Sequence, residues 1–267
     1  MLNFLKAMEF RSTTLAYSGA DKIVKHLKEI SGGKILDVGT GHGEFIGFLK
    51  QALKSFDSFI GIDLNEEELK KAEKEYGKIA EFKKMNAENM DFQDDTFDIV
   101  SIASSLHHLE RPEKVLKEMF RVVKSQGYLI IQEMYSDLTQ TKAQLASSQA
   151  HHFGAKIDSL LGEYHRVTYT REEIKKMVSI LKTEELEIYD STRYPKCLFC
   201  EEKEQCDNPM YEVIINIEID DLSSSLEKIS EYPEYEQLEK EAKKLEQNLK
   251  KNGATDASIL FILAKKS

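Results

Sequence analysis

At 267 residues the chain is long enough for one large α/β domain with an insertion, or for a core domain plus a small second unit. Its 37 basic and 47 acidic residues leave a net charge of −10, which argues against the basic face of a duplex-binding protein, and no stretch approaches the ~18 apolar residues of a membrane span. The three cysteines, Cys197, Cys200 and Cys206, and the absence of an apolar leader in MLNFLKAMEFRSTT fit a reducing cytoplasm rather than a disulfide framework.

Ile23, Val24, Leu27 and Ile30 share one face of a helix predicted over 21–31, ended by Gly32-Gly33. KILDVG (34–39) reads as a short buried strand, GTGHGEF as a glycine-rich turn and EFIGFLKQALK as a helix. Residues 59–63 form a second apolar strand ending in an acid, and NEEELKKAEKEYG follows as a helix with acids at its start and Gly77 at its close. Residues 80–85 give a weak third strand and 96–103 a strong fourth. RPEKVLKEMFRVV is a helix with Pro112 in its first turn, 125–127 a turn, and 128–133 a fifth strand. This alternation predicts an open, mostly parallel sheet with helices on both faces.

After Glu133 the pattern loosens through 136–168. REEIKKMVSILK (171–182) is a helix with Thr170 as N-cap and Glu173 at the capping-box position. Residues 185–191 are a strand candidate, and 211–219 (YEVIINIEI) alternate as a strand does, either within the sheet or within an insertion. Leu238, Ala242, Leu245 and Leu249 mark a charged helix by their 4-3-4 spacing, and ASILFILAK (257–265) is the closing strand.

The chemistry sits in Ile35-Leu36-Asp37-Val38-Gly39-Thr40-Gly41-His42-Gly43. A glycine turn between strand and helix lets backbone approach a ligand closely, at the carboxyl edge where open parallel sheets bind ligands. The dinucleotide fingerprint is G-x-G-x-x-G; here the third glycine comes one residue early and Glu44 takes its place, where an acid would oppose a pyrophosphate. A sulfonium cofactor without phosphates meets no such conflict. Asp63 lies 20 residues past Gly43, at the end of the second strand, where a carboxylate accepts from ribose hydroxyls. It is also placed to cap the helix that follows.

LDVGTGHGEF, IGIDLNEEELKKAE and NAENMDFQDDTFDIVSIASSLHHLERPEKVLKEMFRVVKSQGYLIIQE together resemble, in order and spacing over about 35–135, the class I S-adenosylmethionine-dependent methyltransferases, and most the group acting on small molecules. The resemblance implies a Rossmann-like, seven-stranded, mostly parallel sheet with helices on both faces and an antiparallel last strand. It implies S-adenosyl-L-methionine as cofactor. Asp37 would lie near the methionine moiety, Gly39, Gly41 and Gly43 beneath the cofactor, Asp63 on the ribose and Leu64 beside the adenine. Asn86, which stands where an aspartate is frequent, Ala87 and Glu88 match the segment that cradles adenine, with Glu88 aimed at the exocyclic amine. Ser104 and Ser105 would border the methyl-transfer face. The plainer readings are that Asp37 is a buried acid satisfied by backbone amides and Glu88 a surface loop residue.

A general base is required only by a nucleophile that must lose a proton. His107 is the first candidate and His108 the second, although a histidine pair here is often structural in the family. His151, His152 and His165, with Tyr164 and Tyr169, fall where such folds build a substrate lid, and Tyr17 is placed to close over the cofactor. Three thiolates fall short of the four ligands of structural zinc, so no metal site is expected. The expected organisation is a core of 1–191 plus 254–267 and a mainly helical insertion, 192–253, serving as a cap or a homodimer surface. The expected activity is methyl transfer to a small-molecule acceptor, with no nucleic acid or membrane partner. The alternatives are a non-catalytic cofactor-binding regulator, a nicotinamide oxidoreductase, or a methyltransferase acting on a macromolecule. Amino methylation of a base is disfavoured, because SSLHHL stands where an Asn/Asp-Pro-Pro-aromatic motif would follow strand four.

Overall fold

A computed structural model describes residues 21–137, 140–190, 208–255 and 257–267. The elements in chain order are α1 (Asp21–Leu27), β1 (Lys34–Val38), α2 (Glu44–Ala52), β2 (Ser58–Asp63), α3 (Glu66–Tyr76), β3 (Ala80–Lys84), β4 (Phe97–Ala103), α4 (Pro112–Val122), β5 (Val123–Tyr135), α5 (Lys142–Leu160), α6 (Arg171–Val178), β6 (Thr183–Asp190), α7 (Glu212–Glu227), α8 (Tyr235–Asn252) and β7 (Ser258–Lys266). Among the described residues no helix is long and apolar enough to cross a membrane.

The strands form one seven-stranded sheet in the order β3-β2-β1-β4-β5-β7-β6. β1 to β5 run parallel, and β7 lies antiparallel between β5 and β6. The inner strands β1, β2, β4 and β7 are mostly apolar because both of their faces are covered, whereas the edge strands β3 and β6 are charged and partly exposed. Ile35, Phe59, Ile99, Ile130 and Phe261 point into a core shared with α1 and α2. Their neighbours Leu36, Ile60, Val100, Ile131 and Ile262 point into the opposite core, with α4 and α6. The strand order reverses between β1 and β4, so the crevice for a ligand lies at the carboxyl ends of these two strands.

Two elements differ from the sequence reading. The turn expected at 125–127 lies inside β5, where residues loop out between the Phe97–Val123 and Ile99–Tyr128 pairs and Gln126 takes a positive φ of 64°. Residues 211–219 are not a strand; they open the helix α7. The alternation of Val213, Ile215, Ile217 and Ile219 also contains helical spacing. Ile215 and Leu222 are buried, Ile219 and Leu226 lie beside them, and Val213 is exposed. That face packs with Ala146, Ala150, Phe153 and Ile157 of α5 and with Leu238, Ala242 and Leu249 of α8 in a third, all-helical core. Thr170 and Glu173 form the capping box read from the sequence, and Thr141 and Gln144 form another at the start of α5.

The helical reading of α7 has a direct test. Leu222→Ala should lower the unfolding free energy by about 2–4 kcal/mol in urea titrations, while Val213→Ala should cost less than about 0.5 kcal/mol. A strand would reverse nothing at Leu222 but would place Val213 with the buried set.

Candidate active site

The turn after β1 is built from three glycines with φ of 62° at Gly39, 50° at Gly41 and 88° at Gly43. All three lie in the left-handed region open to glycine at little cost, but their surroundings differ. A Cβ on Gly39 would stand 2.9 Å from Ser105 Oγ, and one on Gly43 would meet the Tyr76 ring at 2.7 Å. Gly43 therefore serves the packing of α2 against α3. A Cβ on Gly41 would meet nothing within 4 Å, so this is the glycine whose face is open to a ligand.

Asp63, at the end of β2, ties the turn down. Its Oδ2 accepts from the Gly41 amide and its Oδ1 from the Asn65 amide, both at 2.9 Å. The helix cap is Asn65, whose side chain accepts from the amides of Glu67 and Glu68. The capping alternative for Asp63 is thereby removed, and the carboxylate faces the glycine turn. Leu64 beside it is 61% exposed, a large apolar side chain held open at the carboxyl edge.

Asp37 is 1% exposed. Ser101 Oγ donates to its Oδ1 and Thr40 Oγ1 to its Oδ2, each at 2.7 Å. It is satisfied by two hydroxyls rather than by backbone amides. Burial pushes its carboxyl from 3.8 up to about 6, against the two hydroxyl bonds that favour the ionised form, and the nearby Asp63 adds to the rise.

On the other wall of the crevice, Ser105 Oγ donates to the Gly39 carbonyl at 3.1 Å, linking the end of β4 to the turn. Ser104 holds a φ of 45°, uncommon for a residue with a side chain, and its Oγ donates to Gln132 Oε1 at 2.9 Å. Gln132 is buried at the end of β5, and its Nε2 has no partner among the described residues. The adenine-segment candidates are less uniform. Asn86 is exposed and its side chain accepts from the Glu88 amide, while Ala87 packs against the core. Glu88 does not stand free: it pairs with Arg111 at 2.5 Å and Lys114 at 3.5 Å.

His107 is buried, with Nδ1 2.9 Å from Glu133 Oε1. The same carboxylate accepts from the amides of Leu106 and Met134. His108 is exposed and its ring lies against that of His165 at a tilt of 42°, with centroids 4.0 Å apart. His151 and His165 lie beside this pair, whereas His152 turns away to Thr168 at 3.0 Å. Tyr169 is buried and donates to the Leu106 carbonyl, and Tyr164 is exposed. Glu44, where the dinucleotide pattern has glycine, opens α2 and pairs with His42 at 3.0 Å. Tyr17, Cys197, Cys200 and Cys206 lie outside the described residues.

Thr40, Ser101, Gln132 and Glu133 were not singled out in the sequence. Their signal is nonetheless visible: Ser101 interrupts the apolar run of β4, and Gln132-Glu133 ends the apolar run of β5.

With this geometry in place, the comparisons with known proteins can be read. A family model for a methyltransferase domain matches residues 36–131, from β1 through β5. These residues therefore resemble a methyltransferase domain in sequence. It is 30% identical over 123 residues to a phthiotriol/phenolphthiotriol dimycocerosates methyltransferase of Mycobacterium ulcerans, an alignment spanning 45% of this chain and 45% of that protein. It is 25% identical over 176 residues to the ubiquinone/menaquinone biosynthesis C-methyltransferase UbiE of Escherichia fergusonii, spanning 60% of this chain and 70% of the relative. The fold is shared with Haemonchus contortus phosphoethanolamine N-methyltransferase 2, solved with S-adenosyl-L-methionine, at a TM-score of 0.53 and 17% identity, covering 92% of this chain and 51% of that one.

The state of Asp37 gives a pH prediction. Its folded pKa lies above its unfolded value, so the folded protein holds this proton more tightly than the unfolded chain does. Ionising it therefore costs stability as pH rises from 3.8 to about 6, a penalty of the order of 2–3 kcal/mol that is complete above that range. Asp37→Asn, with one hydroxyl turned to accept, should melt at or above the wild type at pH 7.5 and lose that advantage near pH 4. Scanning calorimetry at the two pH values checks this.

Proposed function

We propose that the chain binds S-adenosylmethionine at the carboxyl edge of β1, β2 and β4 and transfers its methyl group to a small-molecule acceptor. The observation that carries this reading is the open Gly41 face, closed from behind by the Asp63 carboxylate and flanked by exposed Leu64.

The residues fit the cofactor. Asp63 keeps lone pairs beyond the two amide bonds it accepts, enough to take ribose hydroxyls. Leu64 offers an apolar face to the adenine, beside Ala87 and the Asn86 turn. Buried Asp37, positioned by Thr40 and Ser101, supplies negative charge beneath the methionine end. Glu88 takes the adenine amine only by giving up part of its Arg111 pair, so Arg111 belongs to the assignment as its competitor. When bound, the cofactor supplies a sulfonium methyl already activated for in-line displacement.

The chain's own contribution is then alignment and exclusion of water. Holding acceptor and methyl in line is worth roughly 7–11 kcal/mol in favourable cases. Ser104, held at its positive φ by Gln132, borders the face from which an acceptor approaches. A cavity of about 330 Å³ beside Met134, His151, His165 and Leu222 is of the size that holds a small molecule, which supports a small acceptor over a macromolecule. The names of the two sequence relatives, a phthiotriol/phenolphthiotriol dimycocerosates methyltransferase and a ubiquinone/menaquinone biosynthesis C-methyltransferase, favour the same class. The cysteine usage and the charge favour a cytoplasmic enzyme with no nucleic acid partner. The segment 192–253 is proposed as a cap on that cavity, since α7 lines it.

Calorimetric titration with S-adenosylhomocysteine, with NAD as control, tests the cofactor. Saturable binding of the first alone is expected, and binding of NAD alone would overturn the reading. Asp63→Ala should weaken S-adenosylhomocysteine binding by about 2–4 kcal/mol in a folded protein, because charge-assisted hydrogen bonds are lost. An unchanged dissociation constant would remove Asp63 from the ribose.

A further inference from the structure

Four histidines from two separate segments converge at the carboxyl end of β4. His107 and His108 come from the turn after the strand; His151 comes from α5 and His165 from the segment beyond it. Ring centroids are 4.3 Å apart for His107 and His108, 4.0 Å for His108 and His165, and 5.0 Å for His151 and His165. One ligand nitrogen from each of His107, His108 and His165 lies within 4.8 Å of the other two.

The rings are oriented by carboxylates. His107 Nδ1 donates to Glu133 Oε1 at 2.9 Å, and His165 Nδ1 donates to Asp158 Oδ2 at 2.7 Å. A carboxylate on Nδ1 fixes the proton there and leaves the Nε2 lone pair free, which is the outer arrangement that metal-bound histidines show. The Nε2 atoms of His165 and His151 stand 3.4 Å apart. Ligands at 2.0–2.1 Å from a tetrahedral ion are separated by about 3.3–3.4 Å, so this pair is already spaced for a shared ion. The backbone also holds the two segments together: the Arg166 amide donates to the His107 carbonyl at 3.0 Å, and Tyr169 Oη to the Leu106 carbonyl at 3.3 Å.

We propose that His107, His108 and His165, with His151 adjoining, form a binding site for one divalent transition-metal ion. Imidazole donors without a carboxylate in the inner set suit zinc, iron, nickel or copper rather than magnesium or calcium. Glu133 and Asp158 act as the outer carboxylates, and Lys228 at 3.3 Å holds Asp158 in turn. The ion would pin α5 and the segment after it onto the turn that carries Ser105, beside the cavity that His151 and His165 line. The inference does not depend on the methyl-transfer reading, because the site is built from residues outside the proposed cofactor contacts.

Tag-free, chelator-stripped full-length protein is dialysed against zinc chloride and its metal content measured, with cobalt substitution read by visible absorption. The expected result is a single zinc ion retained per chain and cobalt bands of an imidazole-ligated ion. His165→Ala should abolish both, and Asp158→Asn, which keeps every ligand, should weaken zinc binding by about 10–100-fold. Replacing Cys197, Cys200 and Cys206 together by serine should change neither. No zinc retained by the wild type, zinc retained undiminished by His165→Ala and Asp158→Asn, or zinc lost with the cysteines would each overturn the proposal. Far-UV circular dichroism of each variant separates lost ligands from lost fold.

Discussion

The hydrogen bond from the Gly41 amide to the Asp63 carboxylate fixes the candidate site. It holds the turn after β1 against the end of β2. Because the second oxygen takes the Asn65 amide, it also sets where α3 begins. A turn with three positive-φ glycines has many conformations open to it, and one charged acceptor selects among them. The Asp63 carboxylate is met by amides, while the buried Asp37 is met by hydroxyls. Two carboxylates a strand apart are thereby given different environments. The half-buried one is available to donors; the buried one is raised in pKa and responsive to any cation brought near it.

Much of this arrangement was legible in the sequence where it depended on local pattern. The apolar runs, the capping residues and the spacing of Asp63 from Gly43 each reflect a constraint acting over a few residues, and β1 to β5 fall where those patterns put them. The failures have a different cause. Residues 211–219 satisfy period two and, through Ile215, Ile219, Leu222 and Leu226, helical spacing as well; the choice was made by tertiary packing against α5, far upstream, and α8, which follows in the chain. The 125–127 turn is real as a backbone excursion, but the β4–β5 pairing resumes on both sides of it. What could not be read was partnership at long range. The Ser101 hydroxyl on Asp37 comes from 64 residues away, and the carboxylate on His107 from 26 residues away. A lone histidine pair and three scattered histidines carry no sign of convergence until the fold brings them together.

The glycines make a related point about motif reading. A spaced glycine pattern is usually taken as one feature with one purpose. Here Gly39 makes room for Ser105, Gly43 makes room for Tyr76, and of the three Gly41 alone leaves space that none of the described residues fills. The first two explain why the turn can be packed tightly between β4 and α3, and that packing lets the third face a ligand with a fixed backbone. A methyl group on Gly43 would disturb the helices before it touched any cofactor.

The unfavourable features of the molecule are not spread evenly. Ser104 at a positive φ, Asp37 buried with a raised pKa, and Gln132 with an unpaired buried amide nitrogen all lie at the carboxyl ends of β1, β4 and β5. The opposite edge carries backbone strain of its own, with φ of 53° at Asp95 and 64° at Gln126, but its carboxylate at the amino end of β4 is met: Asp98 accepts from the Lys34 amide and from Lys124, each at 2.8 Å. Strain and incompletely met polar groups persist only where surrounding structure holds them in place. In this chain that support is the double core, which packs both faces of the same strands and leaves their backbone no freedom to relax. A fold that needed only stability would have placed an apolar residue at 37 and a relaxed turn at 104. A buried carboxyl with a raised pKa and a buried amide nitrogen without a partner among the described residues, both at the carboxyl edge beside the strand-order reversal, are what a ligand-binding crevice can use, and they mark that edge independently of the glycine motif.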